Sequence, residues 1–299
     1  MSLSSRLVGH LLALFTITLW GLTFVSTKVL LVDLLPIEVL FLRFCIGFLA
    51  LLLIAPRLFA WQGWRFEALC MGAGLCGVTI YFLMENTALC YTYASNVGII
   101  VSISPFATAL LAHFFVRGEG LSRLFFIGFL VAMSGVLLIS LNGNVTLHLN
   151  PLGDILAAGA ACVWAAYCTF MCYIAKAGQP MILCTRRVFM YGLLSILPLL
   201  PFFGAHFEPE LLLRPLTLSN LLFLGLGGSA LGYVTWNSCV RILGPVATSV
   251  YIYLIPVVTV IAAMIILDEK LTPLAMLGIA LTLAGLVLSE WKNLKSIKK

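Results

Sequence analysis

Apolar runs of about twenty residues, separated by short polar stretches, extend along the whole of this sequence. A helix needs about 20 predominantly apolar residues to cross the hydrocarbon core of a bilayer. The runs therefore predict an all-α membrane protein. The ten predicted transmembrane helices lie at about 8–30, 36–55, 68–90, 94–116, 124–141, 151–174, 180–204, 217–240, 246–267 and 272–290.

The second half of the sequence repeats the first. Residues 232–257 have the layout of residues 81–106 at an offset of 151, so that Asn86 matches Asn237. Internal repeats are the first feature to establish, because they determine how the whole fold is organised. The other matched pairs are Pro105 and Pro256, Trp20 and Trp164, Pro36 and Pro180, Arg43 and Arg187, Gly128 and Gly278, and Gly135 and Gly285.

The polar stretch from Asn142 to Asn150 divides the chain into a first unit, 1–144, and a second unit, 145–299, with five spans each. Because five is an odd number, the second unit must be inverted relative to the first. Inverted repeats are typical of transporters, in which they surround a site near the midplane and rock to give alternating access.

Lysine and arginine predict which side of the membrane each segment occupies, because cytoplasmic loops carry an excess of them. With both termini in the cytoplasm, eleven basic residues lie in inner segments and two in outer loops. The inner set is Arg6, Arg57, Arg65, Arg117, Arg123, Lys176, Arg241 and the tail residues Lys292, Lys295, Lys298 and Lys299, and the outer set is Arg214 and Lys270.

Composition excludes several other classes of protein. The chain is 62% hydrophobic and 9% charged, whereas about a quarter of the residues in a soluble domain are charged. The net charge of +6 matches basic inner loops, so no nucleic-acid partner is expected. The nine cysteines lie in apolar runs without paired spacing, which predicts neither a metal site nor a disulfide framework. Catalytic motifs and nucleotide-binding loops are missing, so neither an enzyme nor a cofactor is expected.

Five short motifs resemble those of the drug/metabolite transporter superfamily, and specifically its EamA-type ten-helix bacterial members. They are WGLTF at 20–24, SPF at 104–106, a Gly-Glu-x-Leu junction at 118–121, IPV at 255–257 and DEKLT at 268–272. The resemblance covers essentially the whole chain. It implies transport of a metabolite or drug, and characterised members include exporters of amino acids. Fold alone does not define which solute is carried.

Glu85 is the strongest candidate for a functional residue, because an ionisable side chain within an apolar span is costly and by default functional. Tyr81 lies one helical turn away on the same face, and an acid beside an aromatic ring suits an amino group or an organic cation. Three roles are open for Glu85: contact with a substrate amine, transfer of a coupled proton, or a buried ion pair with Arg43. Arg187, the repeat match of Arg43, is predicted near the inner side, where it acts in a gate or an ion pair or extends its side chain to the cytoplasmic headgroups.

Aromatic residues near the middle of their spans are expected to shape the cavity, and these are Trp20, Trp164 and Trp236. Asn86 and Asn237 are substrate-binding candidates, with hydrogen bonds between helices as the alternative. A second set of predicted features consists of helix kinks at Pro105 and Pro256, because proline removes a backbone hydrogen bond.

The sequence thus predicts a secondary transporter in the bacterial inner membrane. It is expected to export a small metabolite, an amino acid or a related amine-bearing compound or drug, by alternating access. The alternative is a non-carrier membrane protein, either a channel-like pore or an assembly subunit. Two repeats can enclose a pathway by themselves, so the chain need not be more than a monomer.

Overall fold

The computed structural model describes residues 3–57, 60–92, 94–116, 122–140, 150–258, 261 and 272–297, and these residues are helical apart from short connections. We number the longer helices α1 to α10. They are α1 (Leu3–Leu30), α2 (Pro36–Ile54), α3 (Trp64–Tyr91), α4 (Ala94–Val101 and Ser104–Phe115), α5 (Arg123–Ser140), α6 (Pro151–Ala175), α7 (Met181–Ile196), α8 (Pro215–Leu243), α9 (Pro245–Val258) and α10 (Pro273–Ile297). Two helices of four residues, Leu199–Phe202 and Pro209–Leu212, lie between α7 and α8.

Within the described residues, six helices are long and apolar enough to cross a membrane: α1, α2, α3, α4, α6 and α8. The described parts of α5, α9 and α10 form shorter apolar helices. Large apolar side chains point away from the bundle, among them Leu53 at 81% exposure and Leu130 at 64%. Such a surface is unfavourable in water and suited to lipid. The chain is therefore an all-α membrane protein.

Glycines allow the repeat-related helices α5 and α10 to pack backbone against backbone. A Cβ atom on Gly135 would lie 2.5 Å from the carbonyl oxygen of Gly278, and one on Gly128 would lie 2.6 Å from that of Gly285. Small residues permit this approach between helices in a membrane, where van der Waals contact replaces the hydrophobic effect. These regularly spaced glycines therefore bring α5 and α10, the last helices of the two predicted repeats, into direct contact.

Regular α-helix is interrupted before both of the prolines that were predicted to kink their spans. In α4 a turn at Ser102 and Ile103 precedes Pro105. Pro105 has no N–H to offer the carbonyl of Val101, and the Ser104 hydroxyl donates to that oxygen instead over 2.7 Å. In α9 a 3₁₀ turn, Val250–Tyr253, precedes Pro256.

The observed helix ends differ from the predicted ones in two places. α7 ends at Ile196 rather than at 204, because Pro198 has no N–H to donate to the carbonyl of Leu194. α10 continues to Ile297, beyond the predicted end at 290. The Gly118 to Leu121 junction, residues 268–271, the dividing stretch at 141–149 and the last two lysines lie outside the described residues.

Candidate functional site

A cleft opens between six of the helices, with an empty volume of about 420 Å³ that includes its open mouth. Small-molecule sites are concave and combine apolar walls with a few polar groups. The cleft has both properties. It is lined by Trp20, Thr23 and Phe24 of α1, Arg43 of α2, Tyr81, Phe82 and Glu85 of α3, Val101 of α4, Trp164 of α6, and Ile252 and Ile255 of α9.

Glu85 and Tyr81 form the acidic side of the cleft. Tyr81 begins the second α-helical segment of α3, and the four-residue spacing places its hydroxyl 3.2 Å from Oε1 of Glu85, to which it donates. Glu85 is 6% exposed and Tyr81 is 7% exposed. A buried carboxylate needs a partner, and besides this hydroxyl Glu85 has the cleft itself in front of it.

Arg43 is the basic side chain of the cleft and is 1% exposed. Its Nε donates to the hydroxyl of Ser229 over 3.0 Å, and its guanidinium carbon lies 4.2 Å from the ring centroid of Phe82. Within the described residues, Arg43 and Glu85 line the same cleft without forming an ion pair. The pair that the sequence suggested for them is thus not made in this structure, because a hydroxyl and an aromatic ring hold the guanidinium.

Lys28, near the end of α1, is held by backbone carbonyl groups of α3 and not by Glu85. Its ammonium group donates to the carbonyl oxygen of Leu89 over 2.5 Å and, more weakly, to that of Thr92 over 3.4 Å. These carbonyls belong to the last turn of α3, where a positive charge is favourable.

The predicted tryptophans come together beside the charged residues. Trp20 and Trp164 meet edge to face with ring centroids 5.2 Å apart, and both line the cleft. Trp236 lies 4.9 Å from Trp20 but is fully buried behind it and does not line the cleft. Trp164 also contacts the ring of Tyr81 at 4.9 Å, and its Nε1 has no hydrogen-bond partner among the described residues.

The two asparagines that the repeat relates lie outside the cleft. Asn237 accepts from the Tyr167 hydroxyl over 2.6 Å and donates to the Thr185 hydroxyl over 2.9 Å, so it joins α8 to α6 and α7. Asn86 donates to the carbonyl of Pro36 over 3.2 Å, at the start of α2. Both asparagines therefore form hydrogen bonds between helices, which was the alternative to substrate binding.

Arg187 takes part in an ion pair with a residue that sequence reasoning did not single out. Its Nη1 lies 3.3 Å from Oε2 of Glu67, and the Tyr191 hydroxyl donates to the same oxygen over 2.7 Å. Glu67 is fully buried near the start of α3. It was missed because the predicted span began at residue 68, which left Glu67 in a loop. The neighbouring Arg186 donates to the carbonyls of Ala55 and Arg57.

Several residues of the cleft wall carried no chemical signal in the sequence. Phe82, Val101, Ile252 and Ile255 are apolar residues in apolar spans, and only the packing of α3, α4 and α9 brings them together. Among the described residues, no group of three or more histidine, cysteine, aspartate or glutamate side chains could hold a metal ion. The cleft is thus a site of charged and aromatic side chains.

A buried cleft with one acid, one base and aromatic walls, set among apolar helices, defines a membrane protein that binds a small molecule. Comparison with known proteins supports this class of protein. The model of the EamA-like transporter family matches the chain twice, over residues 7–141 and 151–291. The chain belongs to the EamA-like transporter family. It is a multi-pass membrane transporter and not an enzyme.

Individual relatives extend along nearly the whole chain. An uncharacterized transporter of Archaeoglobus fulgidus is 29% identical over 302 aligned positions, covering 95% of this chain and 98% of its own. A "Probable amino-acid metabolite efflux pump" of Escherichia coli K12 is 28% identical and covers 93% of each chain. A solved structure superimposes with a TM-score of 0.76 at 18% identity, over 97% of this chain and 98% of that one, which supports the fold alone.

Proposed function

We propose that this transporter exports a small zwitterionic metabolite, such as an amino acid or a related amine-bearing compound or drug, by alternating access. The cleft is the binding site. The carboxylate of Glu85 meets the substrate ammonium group, and the guanidinium of Arg43 meets its carboxylate.

The observation that carries this proposal is the arrangement of the two charges. Glu85 and Arg43 line one cleft, both are nearly fully buried, and within the described part of the chain they do not pair with each other. Hydrogen bonds between charged groups are the strong ones. A zwitterion between the two side chains would give each of them a direct contact with an opposite charge, which they do not make with each other. The rings of Tyr81 and Trp164 add a surface that attracts an ammonium group.

The Escherichia coli relative supports the substrate class and the direction, because its name describes efflux of amino-acid metabolites. The architecture proposed for this activity is ten transmembrane helices in two inverted repeats, 1–144 and 145–299. Both termini then lie in the cytoplasm of a bacterial cell whose inner membrane holds the protein. The two separate matches to the family model support this division into repeats.

Counterflow in proteoliposomes tests the site directly. Vesicles loaded with an unlabelled compound are mixed with its labelled form, using a panel of amino acids and organic cations, and the wild type is compared with Glu85→Gln. We expect accumulation of an amino acid by the wild type and loss of at least tenfold in the variant, because an amide cannot pair with the ammonium group.

The matched control is Glu38→Gln. Glu38 is also a buried glutamate, but its carboxylate accepts from the backbone N–H groups of Leu35 and His206, and it does not line the cleft. We expect that variant to retain counterflow. Counterflow that survives Glu85→Gln would remove Glu85 from the substrate site. Label equilibration that does not depend on the unlabelled compound inside would indicate a channel-like pore.

The same two proteins separate a substrate contact from proton coupling. Counterflow requires no net movement of protons, whereas uptake driven by an imposed pH gradient does. Loss of both activities in Glu85→Gln assigns the carboxylate to the substrate. Loss of gradient-driven uptake alone would assign it to a coupled proton and contradict the ammonium contact.

A further inference from the structure

Two long helices contain π-helical segments at positions related by the internal repeat. In α3 the segment is Leu75–Ile80, and in α8 it is Phe223–Leu231. Their last residues, Ile80 and Leu231, are 151 positions apart, which is the offset of the repeat. π-helical turns are rare, commonly lie at functional sites and produce bends in helices. Their presence in both repeats at one register indicates a shared function.

Each π-helical segment has a glycine carbonyl that accepts a hydrogen bond from an aromatic side chain of another helix. The Tyr233 hydroxyl donates to Gly77 of α3, and Nε1 of Trp20 donates to Gly228 of α8 over 2.9 Å. Gly77 and Gly228 are themselves 151 positions apart. Backbone groups buried in a membrane must be satisfied within the protein. Tyr233 and Trp20 therefore fulfil equivalent structural requirements in the two repeats.

Both segments lie where a helix of one repeat crosses a helix of the other. A Cβ atom on Gly74, just before the α3 segment, would lie 2.7 Å from the backbone nitrogen of Gly192 in α7. One on Gly225, within the α8 segment, would lie 2.5 Å from Cβ of Ile46 in α2. The two repeats thus meet in close contact at the points where the backbone departs from regular helix.

We infer that the π-helical segments of α3 and α8 are the bending points about which the two repeats move, and that Tyr233 and Trp20 are positioning residues that hold these bends. The inference rests on the alternating access proposed above. Tyr233 is fully buried and does not line the cleft, so it acts on the α3 segment without touching the substrate. Trp20 lines the cleft and holds the α8 segment.

Local hydrogen exchange, measured by mass spectrometry on the substrate-free protein in lipid nanodiscs, tests the assignment. We expect Trp20→Phe to raise exchange in Phe223–Leu231 and Tyr233→Phe to raise it in Leu75–Ile80, each by about threefold to tenfold. That range corresponds to the loss of one hydrogen bond between helices in a membrane. The effect of Tyr233→Phe is diagnostic, because Tyr233 is adjacent in sequence to the α8 segment and yet should act on α3.

Tyr167→Phe is the matched control. Tyr167 is a fully buried tyrosine of the same aromatic cluster, but its hydroxyl donates to the side chain of Asn237 rather than to a backbone carbonyl. This variant should leave exchange in both π-helical segments within twofold of the wild type. A general loss of stability would raise exchange throughout the protein, so peptides from α5 and α10 serve as internal references. An even rise in all helices, or no rise in either segment, would overturn the assignment.

Transport kinetics provide a second readout. Tyr233→Phe should change the maximal rate of counterflow with an unchanged half-saturating concentration, because it alters movement and not binding. A changed half-saturating concentration at an unchanged rate would contradict a role in bending. If no compound in the panel gives counterflow while the crossed exchange pattern is present, the proposed substrate is wrong and the bending points remain. If counterflow is observed without the crossed exchange pattern, the proposed substrate stands and the bending points are wrong.

Discussion

At the scale of single residues, the acid of the cleft is oriented by its own helix and the base by contacts with two other helices. Tyr81 and Glu85 lie on one helix, so their four-residue spacing alone predicts that they face the same way. Arg43, in contrast, is held by Ser229 of α8 and Phe82 of α3. Those contacts depend on how three helices are rotated against each other, and no spacing within one helix contains that information.

Arg43 leads to a prediction about selectivity. If it meets the substrate carboxylate, the transporter should prefer an amino acid to the corresponding amide, which has no negative charge. We expect Arg43→Gln to reduce that preference by about tenfold to a hundredfold, since a hydrogen bond to a charged group contributes about 1.5–3 kcal/mol. The measurement is competition of each compound against labelled substrate in counterflow.

The control for this experiment is Arg241→Gln, which removes a positive charge from an exposed arginine of α8 that does not line the cleft. It should leave the preference for acid over amide unchanged. An Arg43→Gln variant with the preference of the wild type would remove Arg43 from the substrate site.

At the scale of helices, hydrophobic length predicted most of the described elements, because the thickness of a bilayer sets how long an apolar run must be. The early end of α7 follows from Pro198, a signal that is present in the sequence but weaker than the apolar run that continues past it. The π-helical segments in α3 and α8 could not be predicted, because their apolar residues fit a regular helix equally well. Each segment coincides with a close contact to another helix, at Gly74 for α3 and at Gly225 for α8, and such contacts are visible only in the folded structure.

The close packing of α5 on α10 leads to a prediction about stability. A methyl group added at Gly135 would lie 2.5 Å from the carbonyl oxygen of Gly278, so Gly135→Ala must push the helices apart. Overpacking of this kind typically costs about 1–3 kcal/mol, and we expect a lower midpoint of thermal unfolding in detergent.

Gly98→Ala is the matched substitution for this measurement, because a Cβ atom at Gly98 of α4 would meet no heavy atom within 4 Å among the described residues. Alanine is also favoured over glycine in a helix by about 1 kcal/mol. That variant should unfold at the temperature of the wild type or slightly above it. Equal midpoints for the two alanine variants would show that the α5–α10 contact is looser than the structure indicates.

At the scale of the whole molecule, the repeat predicts how the chain is threaded through the membrane. Epitope tags at the two termini should both be digested by protease in inverted membrane vesicles and protected in intact cells. A tag inserted between Asn144 and Val145, in the predicted outer connection of the repeats, should behave in the opposite way. Termini on opposite sides of the membrane would contradict ten spans in two inverted repeats.

The tryptophans are distributed in a way that affects the fluorescence of the protein. Three of the six, Trp20, Trp164 and Trp236, pack against each other beside the cleft. The other three, Trp61, Trp64 and Trp291, are 60%, 69% and 42% exposed. The emission should therefore contain one component from rings at the protein surface and one component from rings that the helices protect. A solute that enters the cleft would alter the protected component, so occupancy can be followed optically without any attached label.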